Sequence, residues 1–175
     1  MSHLLLVLGG ARSGKSAYAE QRVHDTRAAD VAYVATLLPG EPGVDARIAA
    51  HRARRPASWR TVEAAADVAG AVRGAGSPDV VLLDGFELAL AAASPANDNV
   101  ANALAQDVAA AMRDTSARLA VVVAAEVGLG VVPSAQAGVS FRDRLGAANQ
   151  VLAAEADEVV LVVAGLPLQL KGGVP

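Results

Sequence analysis

The sequence predicts an α/β fold in which helices cover both faces of a mostly parallel β-sheet. Short apolar runs alternate along the chain with longer stretches rich in Ala, Arg, Gln and Glu. The apolar runs are continuous rather than alternating with polar residues, which is typical of strands buried on both faces. The 175 residues suffice for one hydrophobic core and show neither a repeat nor a linker. We therefore expect one domain over residues 1–175.

The order of the predicted elements indicates βαβ units. The strands are expected at Leu4–Leu8, Val31–Thr36, Val80–Asp84, Leu119–Ala124 and Val159–Ala164. The helices are expected at Ser16–Arg27, Val44–Arg54, Ala64–Arg73, Asp98–Asp114 and Phe141–Glu155. Trp59–Val62 predicts a short additional strand, and Leu166–Lys171 predicts a last, antiparallel strand at a sheet edge. Proline and glycine indicate loops at Pro39–Gly43 and Ala93–Asn97.

The composition excludes several classes of protein. The net charge of −3 argues against a general nucleic-acid-binding protein, which would need a basic excess. Because the chain contains no cysteine, disulfides, thiolate chemistry and cysteine-based metal sites are excluded. No apolar run approaches the roughly 20 residues of a membrane-spanning helix, and the first run lacks the basic flank of a signal peptide. We therefore expect a cytoplasmic protein.

A phosphate-binding loop is predicted near the N-terminus. Eight residues fit the pattern G-x-x-x-x-G-K-[ST]: Gly9, Gly10, Ala11, Arg12, Ser13, Gly14, Lys15 and Ser16. They follow an apolar strand and precede a helix, which is the setting that phosphate binding requires. Lys15 is a candidate catalytic residue that reaches the β- and γ-phosphates, and Ser16 is a candidate Mg²⁺ ligand. The expected fold is thus P-loop NTPase-like (RecA-like); the alternative is a chance match on a glycine-rich turn.

Acidic residues lie at the carboxyl ends of two other predicted strands. Asp84 closes Val80–Asp84 and is the candidate Mg²⁺ ligand beside Ser16. Glu126 follows Leu119–Ala124, and because ligands of doubly wound sheets bind at the carboxyl ends of the strands, both acids are expected to face one crevice. The alternative for Asp84 is the N-cap of a following helix.

A second candidate site lies on the predicted helix Val44–Arg54. Arg47, His51 and Arg54 or Arg55 are three or four residues apart, so they share one face of the helix. Neighbouring cations favour a neutral imidazole, which can attack a phosphate while the arginines neutralise its oxygens. The alternative is a solvated basic face with an uninvolved histidine. The other histidines, at positions 3 and 24, have no comparable neighbours.

Several motifs occur in an order that resembles one enzyme family. They are GGARSGKS (9–16), YVAT (33–36), RIAAHRARRPASWRTVE (47–63), LLD (82–84), EVGLGVVP (126–133), FRD (141–143) and ADEVVLVVAG (156–165). The runs His51–Glu63 and Glu126–Pro133 are more specific than the phosphate loop, which many families share. From about Leu4 to Lys171, the chain resembles the bifunctional adenosylcobinamide kinase/adenosylcobinamide-phosphate guanylyltransferases, which assemble the nucleotide loop of cobalamin.

The resemblance implies two reactions. The kinase phosphorylates the aminopropanol hydroxyl of adenosylcobinamide with ATP or GTP. In the transferase, His51 attacks the α-phosphate of GTP and carries GMP as a phosphoramidate to adenosylcobinamide phosphate. A homotrimer is also implied. The implied nucleotide contacts are Gly9–Ser16, Ala35, Thr36, Leu37, Arg52, Ala53, Arg54, Arg55, Glu63 and Asp84.

Five positions depart from the polar pattern of that family: Gly43, Ala92, Ala124, Ala125 and Val139. These positions belong to surfaces expected to meet the corrinoid or the transferred phosphate, and each lost polar group costs about 1–3 kcal/mol if it was buried and paired. An active guanylyltransferase is therefore expected more strongly than a full-strength kinase. Two alternatives remain at this point: a P-loop small-molecule kinase without guanylyl transfer, and a degenerate GTP-binding paralogue.

Overall fold

The structure is a computed structural model that describes residues 1–37, 44–64, 67–93 and 98–172. The strands are β1 (His3–Gly9), β2 (Val31–Ala35), β3 (Arg60–Glu63), β4 (Val80–Asp84), β5 (Leu119–Ala125), β6 (Glu158–Val163) and β7 (Leu166–Lys171). The helices are α1 (Lys15–Asp25), α2 (Val44–Arg54), α3 (Val68–Arg73), α4 (Phe86–Ala92), α5 (Asp98–Asp114) and α6 (Gln136–Glu155). The loop predicted at Pro39–Gly43 lies outside the described residues, as does the loop at Ala93–Asn97 apart from Ala93.

The seven strands form one sheet in the order β3-β2-β4-β5-β1-β6-β7. Every neighbouring pair is parallel except β6 and β7, which pair antiparallel at one end of the sheet. The predicted α/β class with an antiparallel C-terminal edge strand is therefore confirmed. The sheet brings together the carboxyl ends of its parallel strands at one edge, where the loops that follow them can share a crevice.

Alternate residues of each central strand face opposite layers of helices. In β1, Leu4 and Leu6 pack into a core that includes residues of α3 to α6, whereas Leu5 and Val7 pack into a second core that includes residues of α1. Burial on both faces explains why the strands are continuously apolar in the sequence. Among the described residues, no helix combines the length and the apolar character needed to span a membrane.

The structure differs from the sequence prediction mainly at the helices. Helix α4 was not predicted; it begins after Gly85, which has a left-handed φ of 96°, and it has only 7 residues. Helix α6 begins at Gln136 rather than Phe141. Helix α3 begins at Val68, because Asp67 is its N-cap and accepts a hydrogen bond from the Gly70 N–H at 2.7 Å. Short helices and helix ends depend on such local contacts more than on the spacing of apolar residues.

Candidate nucleotide-binding site

The phosphate loop, residues 9–16, connects β1 directly to α1. Arg12 and Gly14 have left-handed backbone conformations with φ of 55° and 95°, and the Ser13 N–H donates to the Gly10 carbonyl at 3.2 Å. Such turns direct successive backbone N–H groups into one concavity. Because α1 begins at Lys15, the positive end of its dipole also faces this concavity. The loop therefore has the geometry of an anion-binding site.

Tight packing maintains the shape of this loop. A Cβ atom at Gly9 would lie 2.4 Å from Ser13 Oγ and 2.8 Å from the Val162 carbonyl oxygen. The turn between β6 and β7 supports the other side, where the Gly165 N–H donates to the Ser13 carbonyl at 2.8 Å. The glycine at position 9 is thus required by the close approach of neighbouring atoms.

Asp84, at the end of β4, connects the phosphate loop with two other elements. Its Oδ1 accepts a hydrogen bond from Ser16 Oγ at 3.0 Å, and its Oδ2 accepts one from the Tyr33 hydroxyl at 2.6 Å. The Nδ1 atom of His51 lies 3.4 Å from the same Oδ2. The N-cap of α4 is Gly85 rather than Asp84, so the alternative role of Asp84 as a helix cap is wrong.

The surroundings of Asp84 determine its charge. Burial by itself raises the pKa of the Asp84 carboxyl, but the neighbouring His51 and the hydrogen bonds from Tyr33 and Ser16 hold that pKa below its usual value. Burial and the neighbouring Asp84 charge raise the pKa of the Tyr33 phenol. Tyr33 therefore remains a protonated donor, and Asp84 is an ionised acceptor at neutral pH.

The imidazole of His51 lies between a carboxylate and a guanidinium. His51 and Arg54 both lie on α2, and Arg54 Nη2 is 3.3 Å from His51 Nδ1. Asp84 Oδ2 is 3.4 Å from the same nitrogen. A neutral imidazole carries one proton, so Nδ1 either donates to Asp84 or accepts from Arg54. When Nδ1 donates to Asp84, the lone pair lies on Nε2, which is then the nucleophilic nitrogen. The sequence pattern identified the guanidinium neighbour but not the carboxylate.

Three arginines near the end of α2 have different partners: Arg52 and Arg54 lie in the helix, and Arg55 follows it. Arg54 forms a bidentate ion pair with Glu20 of α1, at 3.0 and 3.1 Å. The guanidinium of Arg55 lies 3.7 Å from the centre of the Tyr33 ring, and its buried Nη1 has no hydrogen-bond partner among the described residues. Arg52 lies 3.7 Å from the Glu63 carboxylate. The Arg47 side chain lies outside the described part of the chain.

An open cavity lies beside these groups, with an empty volume of about 630 Å³ that includes the solvent space at its mouth. The predicted residues that line it are Lys15, Ser16, Ala35, Thr36, Leu37, His51, Arg52, Arg55, Glu63 and Asp84. The predicted residues outside this lining are Gly9–Gly14, Ala53 and Arg54. Ala53 is exposed, and Arg54 is directed towards Glu20. The structure therefore brings residues from four separate motifs of the sequence to one cavity.

Glu126 does not line this cavity, although its backbone N–H donates to the carbonyl of Gly9, the first residue of the phosphate loop, at 3.0 Å. Its carboxylate instead accepts a hydrogen bond from the Gly128 N–H, two residues along the chain, at 2.6 Å. A two-residue side-chain turn of this kind keeps the carboxylate over its own loop. Glu87, which the sequence analysis missed, lines the cavity and accepts a hydrogen bond from the Ala125 N–H at 3.0 Å.

The positions that depart from the resembled pattern occupy different environments. Ala124 and Ala125 are buried in β5, with 0% and 9% exposure. Val139 is half-buried in α6, and Ala92 is exposed at the end of α4. Gly43 lies outside the described residues. Among the described positions of this set, only Ala124 and Ala125 are buried, and a hydrogen bond lost at a buried position is costly.

Comparison with known proteins identifies the family. Residues 5–170 match the model of a family described as cobinamide kinase / cobinamide phosphate guanyltransferase. The chain belongs to this family. It is 37% identical over 169 residues to the bifunctional adenosylcobalamin biosynthesis protein CobP of Pseudomonas aeruginosa, covering 95% of this chain and 96% of that protein. The family predicted by the sequence motifs is therefore confirmed.

Further relatives and structures extend the comparison. The protein CobU of Escherichia coli K12, also described as a bifunctional adenosylcobalamin biosynthesis protein, is 36% identical over 183 residues, covering 96% of this chain and 99% of CobU. The flagellar accessory protein FlaH of Methanocaldococcus jannaschii is 13% identical with a TM-score of 0.48, covering 98% of this chain and 79% of FlaH.

Proposed function

We propose that this chain phosphorylates adenosylcobinamide and transfers GMP from GTP to adenosylcobinamide phosphate through a GMP–His51 intermediate. The observation that supports the intermediate is the contact of His51 Nδ1 with Asp84 Oδ2 at 3.4 Å, while Asp84 Oδ1 accepts from Ser16 of the phosphate loop. A histidine side chain and a phosphate loop thus meet at one carboxylate. The family description, which names both activities, supports the same assignment.

The nucleotide binds across the phosphate loop and the adjoining cavity. The backbone of Gly9–Ser16 and the buried Lys15 bind the phosphates, since both provide donors to anions. Arg55 supports this assignment, because a phosphate oxygen would satisfy its buried Nη1. The remaining nucleotide contacts are Ala35, Thr36, Leu37, Arg52, Ala53, Arg54, Glu63 and Asp84.

Guanylyl transfer proceeds in two displacements at the α-phosphorus. With the Nδ1 proton of His51 directed to Asp84, the lone pair of Nε2 attacks, a P–N bond forms, and the bond to the β-phosphate oxygen breaks. Pyrophosphate leaves with that electron pair. A phosphate oxygen of adenosylcobinamide phosphate then attacks the same phosphorus, the P–N bond breaks, and the electron pair returns to His51. The product is adenosylcobinamide-GDP.

The kinase step uses the phosphate loop without the histidine. The hydroxyl of the aminopropanol group attacks the γ-phosphorus of ATP or GTP, and the nucleoside diphosphate leaves. Lys15, which is 9% exposed, stabilises the charge on the phosphoryl oxygens. The apolar pair Ala124 and Ala125 in β5 favours an active transferase more strongly than a full-strength kinase.

Mg²⁺ fits the residues at the edge of the cavity. Ser16 Oγ and Asp84 Oδ1 lie 3.0 Å apart, and hydroxyl and carboxylate oxygens are the hard ligands that Mg²⁺ prefers. Ser16 and Asp84 would hold the ion, which neutralises phosphate charge when bound. Their position next to Lys15 in the cavity lining supports this assignment.

The chain forms one domain over residues 1–175 and assembles as a homotrimer. The single sheet supports one domain. Strand β7 supports assembly, because it lies at the edge of the sheet and exposes Leu166, Leu168 and Leu170. Exposed apolar edge strands are normally covered by a partner. Analytical ultracentrifugation tests this proposal, and a monomer at micromolar concentration would refute it. A cytoplasmic location and the lack of a nucleic-acid partner stay predictions.

Incubation of the protein with α-labelled GTP and Mg²⁺ tests the proposed intermediate. We expect label on the protein that is labile in acid and stable in alkali, as a histidine phosphoramidate is. Parallel assays supply adenosylcobinamide or adenosylcobinamide phosphate with GTP. γ-Phosphate transfer without protein label would support a kinase lacking the guanylyl step. GTP binding without turnover of either corrinoid would support the degenerate paralogue.

A further inference from the structure

An ion pair next to the nucleotide cavity connects the helix of the phosphate loop with the helix of the histidine. Glu20 lies on α1, five residues after Lys15, and is only 8% exposed. Its two carboxylate oxygens accept hydrogen bonds from Nε and Nη2 of Arg54 at 3.0 and 3.1 Å. Glu20 does not line the nucleotide cavity; it lines a second cavity with Arg54 and Trp59.

This ion pair lies next to the proposed nucleophile. The same Nη2 atom of Arg54 that binds Glu20 is 3.3 Å from His51 Nδ1. A carboxylate oxygen of Glu20, one of Asp84 and a ring nitrogen of His51 all lie within 4.8 Å of one another. Arg54 is three residues from His51, so anchoring its guanidinium restrains the helical turn that carries the imidazole.

We propose that Glu20 is a positioning residue for guanylyl transfer, and that its ion pair with Arg54 keeps His51 beside Asp84 and the phosphate loop. A bidentate pair restricts both distance and rotation, which a single contact does not. Arg54 is charged at neutral pH like any arginine, and the hydrogen bond to Glu20 raises its pKa further. This proposal rests on the role of His51 given under Proposed function.

A comparison of the two reaction rates can distinguish a positioning role of Glu20 from a general contribution to the stability of the protein. Guanylyl transfer needs His51 in place, whereas the kinase step does not use His51. A displacement of about 1 Å of a reacting group can cost about 10²-fold in rate. Loss of the Glu20 charge should therefore slow His51 labelling and spare the kinase.

The experiment measures the rate of protein labelling at saturating α-labelled GTP and, separately, phosphorylation of adenosylcobinamide. For Glu20→Gln, which keeps the shape of the side chain, we expect labelling about 100-fold slower, with unchanged half-saturation by GTP and unchanged kinase rate. Glu20→Asp, which keeps the charge with a shorter reach, should lose less. The matched control is Asp30→Asn, which breaks the bidentate pair of Asp30 with Arg60 at 2.9 and 3.2 Å and should leave both rates unchanged.

Equal losses of labelling and kinase activity in Glu20→Gln would overturn the proposal, because they indicate a general structural role. A wild-type labelling rate in that variant would also overturn it. If Glu20→Gln does not fold, the same ratio of the two rates in Glu20→Asp decides the matter. The proposed function has its own control: label retained by His51→Ala refutes the nucleophile, whereas label lost by His51→Ala but normal in Glu20→Gln refutes only the role of Glu20.

Discussion

The phosphate loop and the histidine helix α2 reach the same cavity in different ways. The loop forms from eight consecutive residues, and most of its shape comes from local features such as the left-handed φ of Arg12 and Gly14. Helix α2 is held beside the loop by residues far away in the sequence. Glu20 on α1 binds Arg54, and Asp84 at the end of β4 contacts His51.

The supports of these two regions also differ. Helix α1 is joined to the sheet by a bidentate ion pair between Arg22 and Glu158 of β6, at 2.7 and 2.8 Å. Glu158 is 12% exposed at its side chain, so this pair lies partly within the protein. In the pair that holds α2, the acid Glu20 is 10% exposed at its side chain, and Arg54 is 42% exposed, compared with 30% for Arg22. The two pairs thus have similarly buried carboxylates and differ in what they join: Arg22 joins α1 to the sheet, whereas Arg54 joins α2 to α1.

The largest expected effect separates the two regions by function. His51→Ala should abolish guanylyl transfer, because the attacking nitrogen is removed, and should leave GTP affinity within about tenfold, or about 1.4 kcal/mol. Protein labelling with α-labelled GTP and calorimetric titration with GTP measure the two properties. His24→Ala, on the exposed side of α1, is the matched control and should change neither. Unimpaired guanylyl transfer in His51→Ala would contradict the assignment of His51 as the nucleophile, and with it the proposed difference in function between α2 and the phosphate loop.

The corresponding change in the phosphate loop should affect both reactions. Lys15→Ala removes a charged donor to the phosphates, so nucleotide affinity should fall by roughly 1.5–3 kcal/mol, or about 10- to 150-fold. Titration with GTP checks this value. The other lysine of the chain, Lys171, binds the carbonyls of Ala153 and Ala154, and Lys171→Ala should leave affinity unchanged. If Lys15→Ala lost guanylyl transfer but kept normal GTP affinity, the proposed role of Lys15 in nucleotide binding would be wrong.

Two neighbouring glycines test whether packing maintains the loop. Gly9→Ala places a Cβ 2.8 Å from the Val162 carbonyl oxygen, so the free energy of unfolding should fall by about 1–3 kcal/mol. At Gly10 nothing lies within 4 Å of an added Cβ, so Gly10→Ala is the control and should change stability little. Denaturant unfolding of both variants measures the difference. Equal stability of the two variants would indicate that the loop adjusts freely.

The smallest expected effect concerns the support of α1. The hydrogen bonds from Arg22 lower the pKa of Glu158, so its contribution to stability is present above the unfolded pKa of about 4.3 and is lost as the pH falls through the folded pKa. Glu158→Gln should therefore reduce the free energy of unfolding by about 1 kcal/mol at pH 7 and by less at pH 3.

Denaturant unfolding at the two pH values measures this difference. The exposed pair of Arg73 and Asp107 is the comparison, because Asp107→Asn should have a smaller effect at pH 7. A Glu158→Gln effect that is equal at pH 7 and pH 3 would show that the ion pair does not support α1.

The sequence predicted much of the fold because its signals are local. The β4 run Val80–Asp84 and the helix Asp98–Asp114 have the predicted bounds, since apolar composition and helix-forming residues determine such elements directly. Helix α4 was missed because its 7 residues are too few for a periodic pattern. The phosphate loop was recognisable because its residues are consecutive and flanked by a strand and a helix.

The residues that surround His51 were only partly predictable. Tyr33 lies in a predicted strand, and nothing in that run indicates that its hydroxyl donates to Asp84, as it does at 2.6 Å. Glu20 occupies an ordinary position in a helix-forming stretch, and nothing in its local sequence indicates that it binds Arg54. Glu126 lies at the predicted carboxyl edge of the sheet, next to Gly9, but its carboxylate accepts a hydrogen bond from Gly128 in its own loop, which the sequence did not indicate.

The sequence alone determined the alternation of strands and helices, the phosphate loop and the family, because each is encoded in neighbouring residues. Only the tertiary structure decided which charged groups meet at the cavity. Ser16 and Asp84 are 68 residues apart in the chain, and Glu20 and Arg54 are 34 apart. Their contacts depend on the order of the strands and on how α1 and α2 pack, and residue spacing carries no direct record of either.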